Sequence, residues 1–165
     1  VFVCHSKLFI LMITLYTTGY GYSKRLCKDV VCWFVSKYFP RHKLEIEVLH
    51  RGLNREGALG YCDVADKTYR PRSFLIEMNT HMNRDTYIQV LLHELVHLQQ
   101  WVKGELKFKS SKRYFKGECV EDYEYMDQKH EIEAHSQEKV LYDEYIAEKY
   151  PKSIKYFPNR LLNTP

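Results

Sequence analysis

Apolar residues recur along this chain with two spacings. From Lys24 to Tyr38 they fall at Leu26, Val30, Val31, Phe34, Val35 and Tyr38. Steps of three and four predict an amphipathic helix, capped by Ser23 and ended by Pro40. From Lys43 to His50 the spacing changes to two: Leu44, Ile46 and Val48 alternate with Glu45, Glu47 and Leu49, as in a strand with one wet face. Ser73–Asn79 (SFLIEMN) is a further strand, entered through Pro71, and Leu59–Ala65 is a short one. Leu8–Tyr16 is apolar except for Thr14, which predicts a buried strand that ends at a turn around Gly19 and Gly21. The competing reading, a signal-peptide core behind Lys7, lacks a small-x-small cleavage site. Met12 is then a natural start, with residues 1–11 a dispensable upstream extension.

The second half carries a stronger helix, Thr86 to about Lys103, capped by Asn83 or Asp85 and closed by Gly104. Glu105 to Lys129 is charged and aromatic with little periodicity and reads as a long loop. A last helix runs from about Glu131 to Lys149 and stops before Pro151. These elements predict an α+β fold. Its core is a small, mostly antiparallel sheet of Ile13–Thr18, Leu44–His50 and Ser73–Asn79, packed on the two long helices. Ser73–Asn79 is expected at the edge that faces a cleft.

Composition narrows this to one globular domain spanning 1–165, with 151–165 an irregular tail. The chain has 165 residues, 45% hydrophobic and 28% charged, which is neither disordered nor membrane-like. No apolar run approaches the roughly 20 residues that span a bilayer. The five cysteines are odd in number and form no CxxC pair, which speaks against a disulfide framework or a Cys-based zinc ribbon and for a reducing, cytoplasmic compartment. Lys and Arg number 25 against 21 acids, and the two are interspersed, so the net charge of +4 marks no dedicated nucleic-acid surface. The densest basic stretch, Lys107, Lys109, Lys112, Arg113 and Lys116, reads as a solvated loop in preference to a DNA contact.

The candidate chemistry lies in His93-Glu94-Leu95-Val96-His97, an H-E-x-x-H inside the strongest helix. His93 and His97 are one turn apart on one face, as two nitrogen ligands of a single Zn²⁺ must be. On a helical wheel Leu91, Leu92, Leu95, Leu98 and Val102 form one stripe and the two histidines lie opposite it, toward a cleft. Glu94 falls on the flank, where it can reach an activated water without being a ligand. A catalytic zinc needs a third protein ligand and an open position. His130, Glu131, Glu133 and His135, all within KHEIEAHSQE, are the candidates. Glu131 and Glu133 point about 200° apart on a helix, so only one can face the metal.

HELVH on a helix that follows a strand resembles the zincin metallopeptidases. Glu133-Ala134-x-Ser136 resembles the segment that supplies the third ligand in thermolysin-like gluzincins. HELVHLxQ, a basic loop and then ExEA resemble more closely small metallopeptidases of tailed bacteriophages, SprT-like in size and layout. The resemblance covers roughly Leu44 to Tyr145 and implies a host-cytoplasmic setting if phage-encoded. It departs from the gluzincin pattern at Gln137, where an Asp orients a zinc-bound histidine, and from the phage pattern at Lys129-His130, where Pro-Trp stands.

The resemblance implies a zinc peptidase with Zn²⁺ on His93, His97 and Glu133, acting on a peptide or protein substrate. Glu94 is the general base that takes the proton of the metal-activated water and passes it to the leaving amine. Ser136 is expected to support Glu133. Tyr114, Tyr123 and His130 are candidates for stabilising the oxyanion. Two other readings remain open: a zinc-stabilised structural or interaction module without turnover, for example in a virion, and a DNA-associated SprT-like protease. The intact Glu94 argues against the first, because a structural site has no use for a general base.

Overall fold

The computed structural model describes residues 2–3, 13–66 and 68–151. The segment Leu8–Met12, the proposed start at Met12 and most of the 151–165 tail lie outside the described residues. Among the described residues five strands make the main sheet: β1 (Phe2–Val3), β2 (Ile13–Gly19), β3 (Leu44–Arg51), β4 (Gly60–Val64) and β5 (Ser73–Asn79), in the spatial order β1-β2-β3-β5-β4. The helices are α1 (Lys24–Tyr38), α2 (Arg84–Lys103) and α3 (Lys129–Lys149). The fold is α+β, as the sequence predicts.

The sheet is mixed and not mostly antiparallel. β2, β3 and β5 run parallel, with Leu15 opposite Ile46 and Ile46 opposite Phe74, while β1 and β4 run antiparallel on the two edges. Parallel neighbours need a long crossover. The 15-residue helix α1 supplies it between β2 and β3. Between β3 and β5 the chain goes out through β4 and returns. Alternation along β3 does not distinguish the two cases, because one face of this sheet stays partly wet. Ile13, Leu15, Leu44, Ile46, Val48, Phe74, Ile76 and Met78 point into the core under the helices, while Glu45, Glu47, Leu49, Leu75 and Glu77 remain partly or fully exposed. Ser73–Asn79 is therefore an interior strand, and β4 takes the edge assigned to it.

α1 begins with Ser23 accepting from the Leu26 backbone N–H, and α2 with Asn83 accepting from that of Thr86. α2 ends at Gly104 in the left-handed conformation, φ 73°, where glycine avoids the Cβ clash. α2 is buried almost all round from Tyr87 to Val102. Its leucine stripe meets the sheet side of the core as the wheel predicts. Its histidine side does not open freely on a cleft, because α3 packs against it.

The predicted loop is in part a second sheet. β6 (Leu106–Lys109), β7 (Lys112–Phe115) and β8 (Glu118–Cys119) form an antiparallel meander, followed by two 3₁₀ turns, Val120–Asp122 and Tyr125–Asp127. Its tight turns use Ser110 and Ser111 (φ 50° and 64°), then Lys116 and Gly117 (φ 48° and 96°). Two-residue hairpin turns of this kind need positive φ at both positions. Three of the four residues are not glycine, so the turns carry little sequence signal. The four described cysteines, Cys27, Cys32, Cys62 and Cys119, are free thiols. No helix among the described residues is long and apolar enough to cross a membrane.

Candidate metal centre

α2 brings His93 and His97 onto the side that α3 covers, and α3 meets them with Glu131. The three acceptor atoms form a near-equilateral triangle. Nε2 of His93 and Nε2 of His97 are 3.1 Å apart. Oε2 of Glu131 is 3.3 Å from each. Ligands at 2.0–2.1 Å from a tetrahedral Zn²⁺ lie about 3.3 Å from one another. The triangle therefore has the edge length of one face of a zinc coordination shell.

The outer nitrogens fix the rings so that lone pairs meet inside. Nδ1 of His97 lies 2.9 Å from Oε1 of Gln100, and the Gln100 amide donates to the His130 carbonyl at 3.0 Å, which leaves Oε1 only able to accept. His97 therefore donates from Nδ1 and presents a lone pair at Nε2. His93 donates from Nδ1 to Oε2 of Glu138 at 3.0 Å, with the same result. Two imidazole lone pairs and a carboxylate oxygen at these distances repel one another unless a proton or a metal cation lies between them. Carboxylate–histidine pairs that orient a ligand ring are the usual support of such a centre.

The surrounding charges agree. Burial alone would push the Glu131 carboxyl up, but His130, His93 and His97 hold it well below the usual carboxylate range. Burial would lower His97, yet Glu131 and Glu94 raise it above an ordinary histidine. His130 lies 3.3 Å from the second Glu131 oxygen through Nε2. Tyr125, in the 3₁₀ turn just before α3, donates to Oε2 of Glu131 at 2.9 Å.

Glu94 is buried on the flank, outside the triangle. Burial raises it, His97 and His93 partly offset this, and Glu131 and Glu138 add to it; the result is a carboxyl pushed up to about 7. It faces β4, where Gly60 has no side chain to obstruct it. Among the described residues β4 pairs with β5 alone, so its other edge offers backbone groups beside Glu94.

Glu133 does not join this cluster. It is half-buried on the neighbouring side of α3 and pairs with Lys116. The reason lies in the phase of the helix. α3 begins at Lys129, two residues earlier than the sequence suggests, with no capping side chain at Gln128. Its inward stripe runs Glu131, Ala134, Glu138, Leu141, Tyr145, with Ala134 fully buried against α2. Ala134 thus accompanies Glu131, three residues before it. Counting back from Tyr145 and Leu141 in steps of four and three would have reached Glu131. Ser136 bonds the Glu133 carbonyl, and the supporting residue is Glu138.

The remaining candidates are dispersed. Tyr114 lies on β7 under Lys109, and Tyr123 bonds Glu118. His130 is fully buried behind Glu131, and His135 is half-exposed beside Glu138. Tyr125 reaches the centre and was not a candidate, since nothing among fourteen tyrosines sets it apart in the sequence. In the basic stretch Arg113 pairs with Glu121 and Lys116 with Glu133. Compared with known proteins, the chain matches no family model, no curated protein and no solved structure.

Proposed function

We propose that this protein is a zinc-dependent peptidase. The observation that carries the reading is the position of Glu94: a buried carboxyl beside the three-ligand triangle and not part of it. A structural metal site needs no such group. His93, His97 and Glu131 would hold the Zn²⁺. When bound, the ion lowers the pKa of a water and polarises the scissile carbonyl.

Each step of the chemistry has a residue of this chain to perform it. Glu94, buried beside the triangle, takes the proton of the attacking water. It then passes that proton to the leaving nitrogen. Tyr125 donates its phenol hydrogen bond to the oxygen of the scissile carbonyl as charge builds there. Burial and Glu131 raise its hydroxyl above the ordinary tyrosine value, so it stays protonated. Gln100, Glu138 and His130 hold the ligand side chains. The free edge of β4 can pair with an extended peptide, placing its backbone across Glu94.

The test is the metal content of the purified chain, followed by digestion of a peptide library with Glu94→Gln as control. Stoichiometric zinc in both, with cleavage only in the wild type, supports the proposal. Loss of metal in Glu94→Gln would make Glu94 a ligand and overturn it.

A further inference from the structure

The His93 ring faces two groups of ligand atoms. Its Nε2 belongs to the triangle with His97 and Glu131. Its Nδ1 lies 3.0 Å from Oε2 of Glu138, and the same carboxylate oxygen lies 3.4 Å from Nδ1 of His135. The His93 and His135 rings are 4.5 Å apart between centroids. One ligand atom from each of His93, His135 and Glu138 falls within 4.8 Å of the others.

We propose that His93, His135 and Glu138 form a second divalent-cation site, joined to the first through the His93 ring. The two shorter separations are close to the roughly 3.3 Å edge of a tetrahedral zinc shell. Two imidazoles and one carboxylate suit Zn²⁺ or Cu²⁺ over Mg²⁺ or Ca²⁺. His135 and Glu138 are three residues apart on α3, so they share a face of the helix. Their side chains are 47% and 30% exposed, against 8% for His97 and Glu131. An ion can therefore arrive hydrated, exchange some of its waters for these ligands and keep the rest on its open side. As it binds, the proton that His93 gives to Glu138 leaves to solvent, and the ring bridges the two ions as an imidazolate.

The first site is enclosed and has ligands held by Gln100 and Tyr125, so it fills first and more tightly. Filling the second removes Glu138 as the partner that orients His93. Hydrolysis therefore peaks at one ion per chain and falls at two. This regulatory clause rests on the peptidase reading; the metal count does not.

The experiment titrates the metal-free full chain with Zn²⁺ and, separately, Cu²⁺, counting bound metal by native mass spectrometry. The wild type takes two equivalents, the second at least tenfold weaker. His135→Asn takes one, with an unchanged circular dichroism spectrum. In the dicopper form, two ions bridged by one ring couple magnetically, so the paramagnetic resonance signal per copper drops at least twofold as the second equivalent binds. One equivalent in the wild type, a second equivalent that persists in His135→Asn, or two full uncoupled copper signals would each overturn the site. Two equivalents with no hydrolysis at any loading overturn the peptidase reading and leave the site standing. Hydrolysis unchanged by the second equivalent overturns the regulatory clause alone.

Discussion

A methyl group at Gly60 would lie 2.6 Å from Oε1 of Glu94 and 3.0 Å from its Cγ. The edge strand and the candidate base are that close, and the absence of a side chain is what lets them be. Gly60 has no positive φ, so the constraint is one of space and not of backbone conformation. Gly60→Ala should fold and keep its metal, yet displace the Glu94 carboxyl. A misplacement of about 1 Å in a catalytic group can cost on the order of 100-fold in rate. A kcat/KM within a factor of three of wild type, at full metal content, would show that Glu94 does not work from this position.

The two glutamates near the start of α3 should separate cleanly. Glu131→Ala should lose the metal on dialysis, because it removes the only carboxylate in the triangle. Glu133→Ala should keep it and lose a half-exposed ion pair with Lys116, worth about 1 kcal/mol or less. Elemental analysis of the two variants after dialysis decides it, and retention by Glu131→Ala with loss by Glu133→Ala would reverse the assignment.

The placement of Glu131, and not Glu133, beside His93 and His97 shows where sequence reading succeeds and where it stops. α1, α2, β3 and β5 were legible because each carries a sustained period and, in the helices, a capping residue. HELVH was legible because two histidines one turn apart need nothing beyond a helix to share a face. Which glutamate joins the two histidines depends on the phase at which α3 docks on α2, and that phase is set by Leu141 and Tyr145, ten and fourteen residues beyond Glu131. The mixed sheet depends on crossovers, which alternation within a strand does not encode. Glu138 and Tyr125 serve the centre only through tertiary placement, one from the middle of a helix and one from a 3₁₀ turn.

Tyr125→Phe should leave metal content and fold intact. It deletes one hydroxyl that donates to Glu131 at 2.9 Å in the resting protein and, in the proposed chemistry, to the developing oxyanion. Losing one such donor lowers kcat by roughly 10²–10³. If it acts mainly in the transition state, KM should change little. A variant with wild-type kcat would assign the phenol to support of Glu131 alone.

Away from the centre, His50 makes stability depend on pH. It is buried, with Nδ1 donating to the Thr18 carbonyl at 3.1 Å and Nε2 accepting from the Tyr87 hydroxyl at 2.8 Å. Burial lowers its pKa below the ordinary 6.5; the Thr18 carbonyl partly offsets this, and Lys24 adds to the lowering. The folded protein therefore binds a proton at this ring less readily than the unfolded chain. As the pH falls below about 6.5 the unfolded state takes up the proton first, so stability declines with acidity and is fully present above that value. His42 shifts in the same direction and adds to the slope. In His50→Gln the amide can donate to Thr18 and accept from Tyr87, but it does not titrate. Glu94, raised to about 7, and His97, also raised, act in the opposite sense in both proteins, so in urea unfolding of the metal-free chain between pH 5 and 7 the slope of stability against pH should be more positive in the wild type than in His50→Gln. Equal slopes in the two proteins would place the acid sensitivity elsewhere.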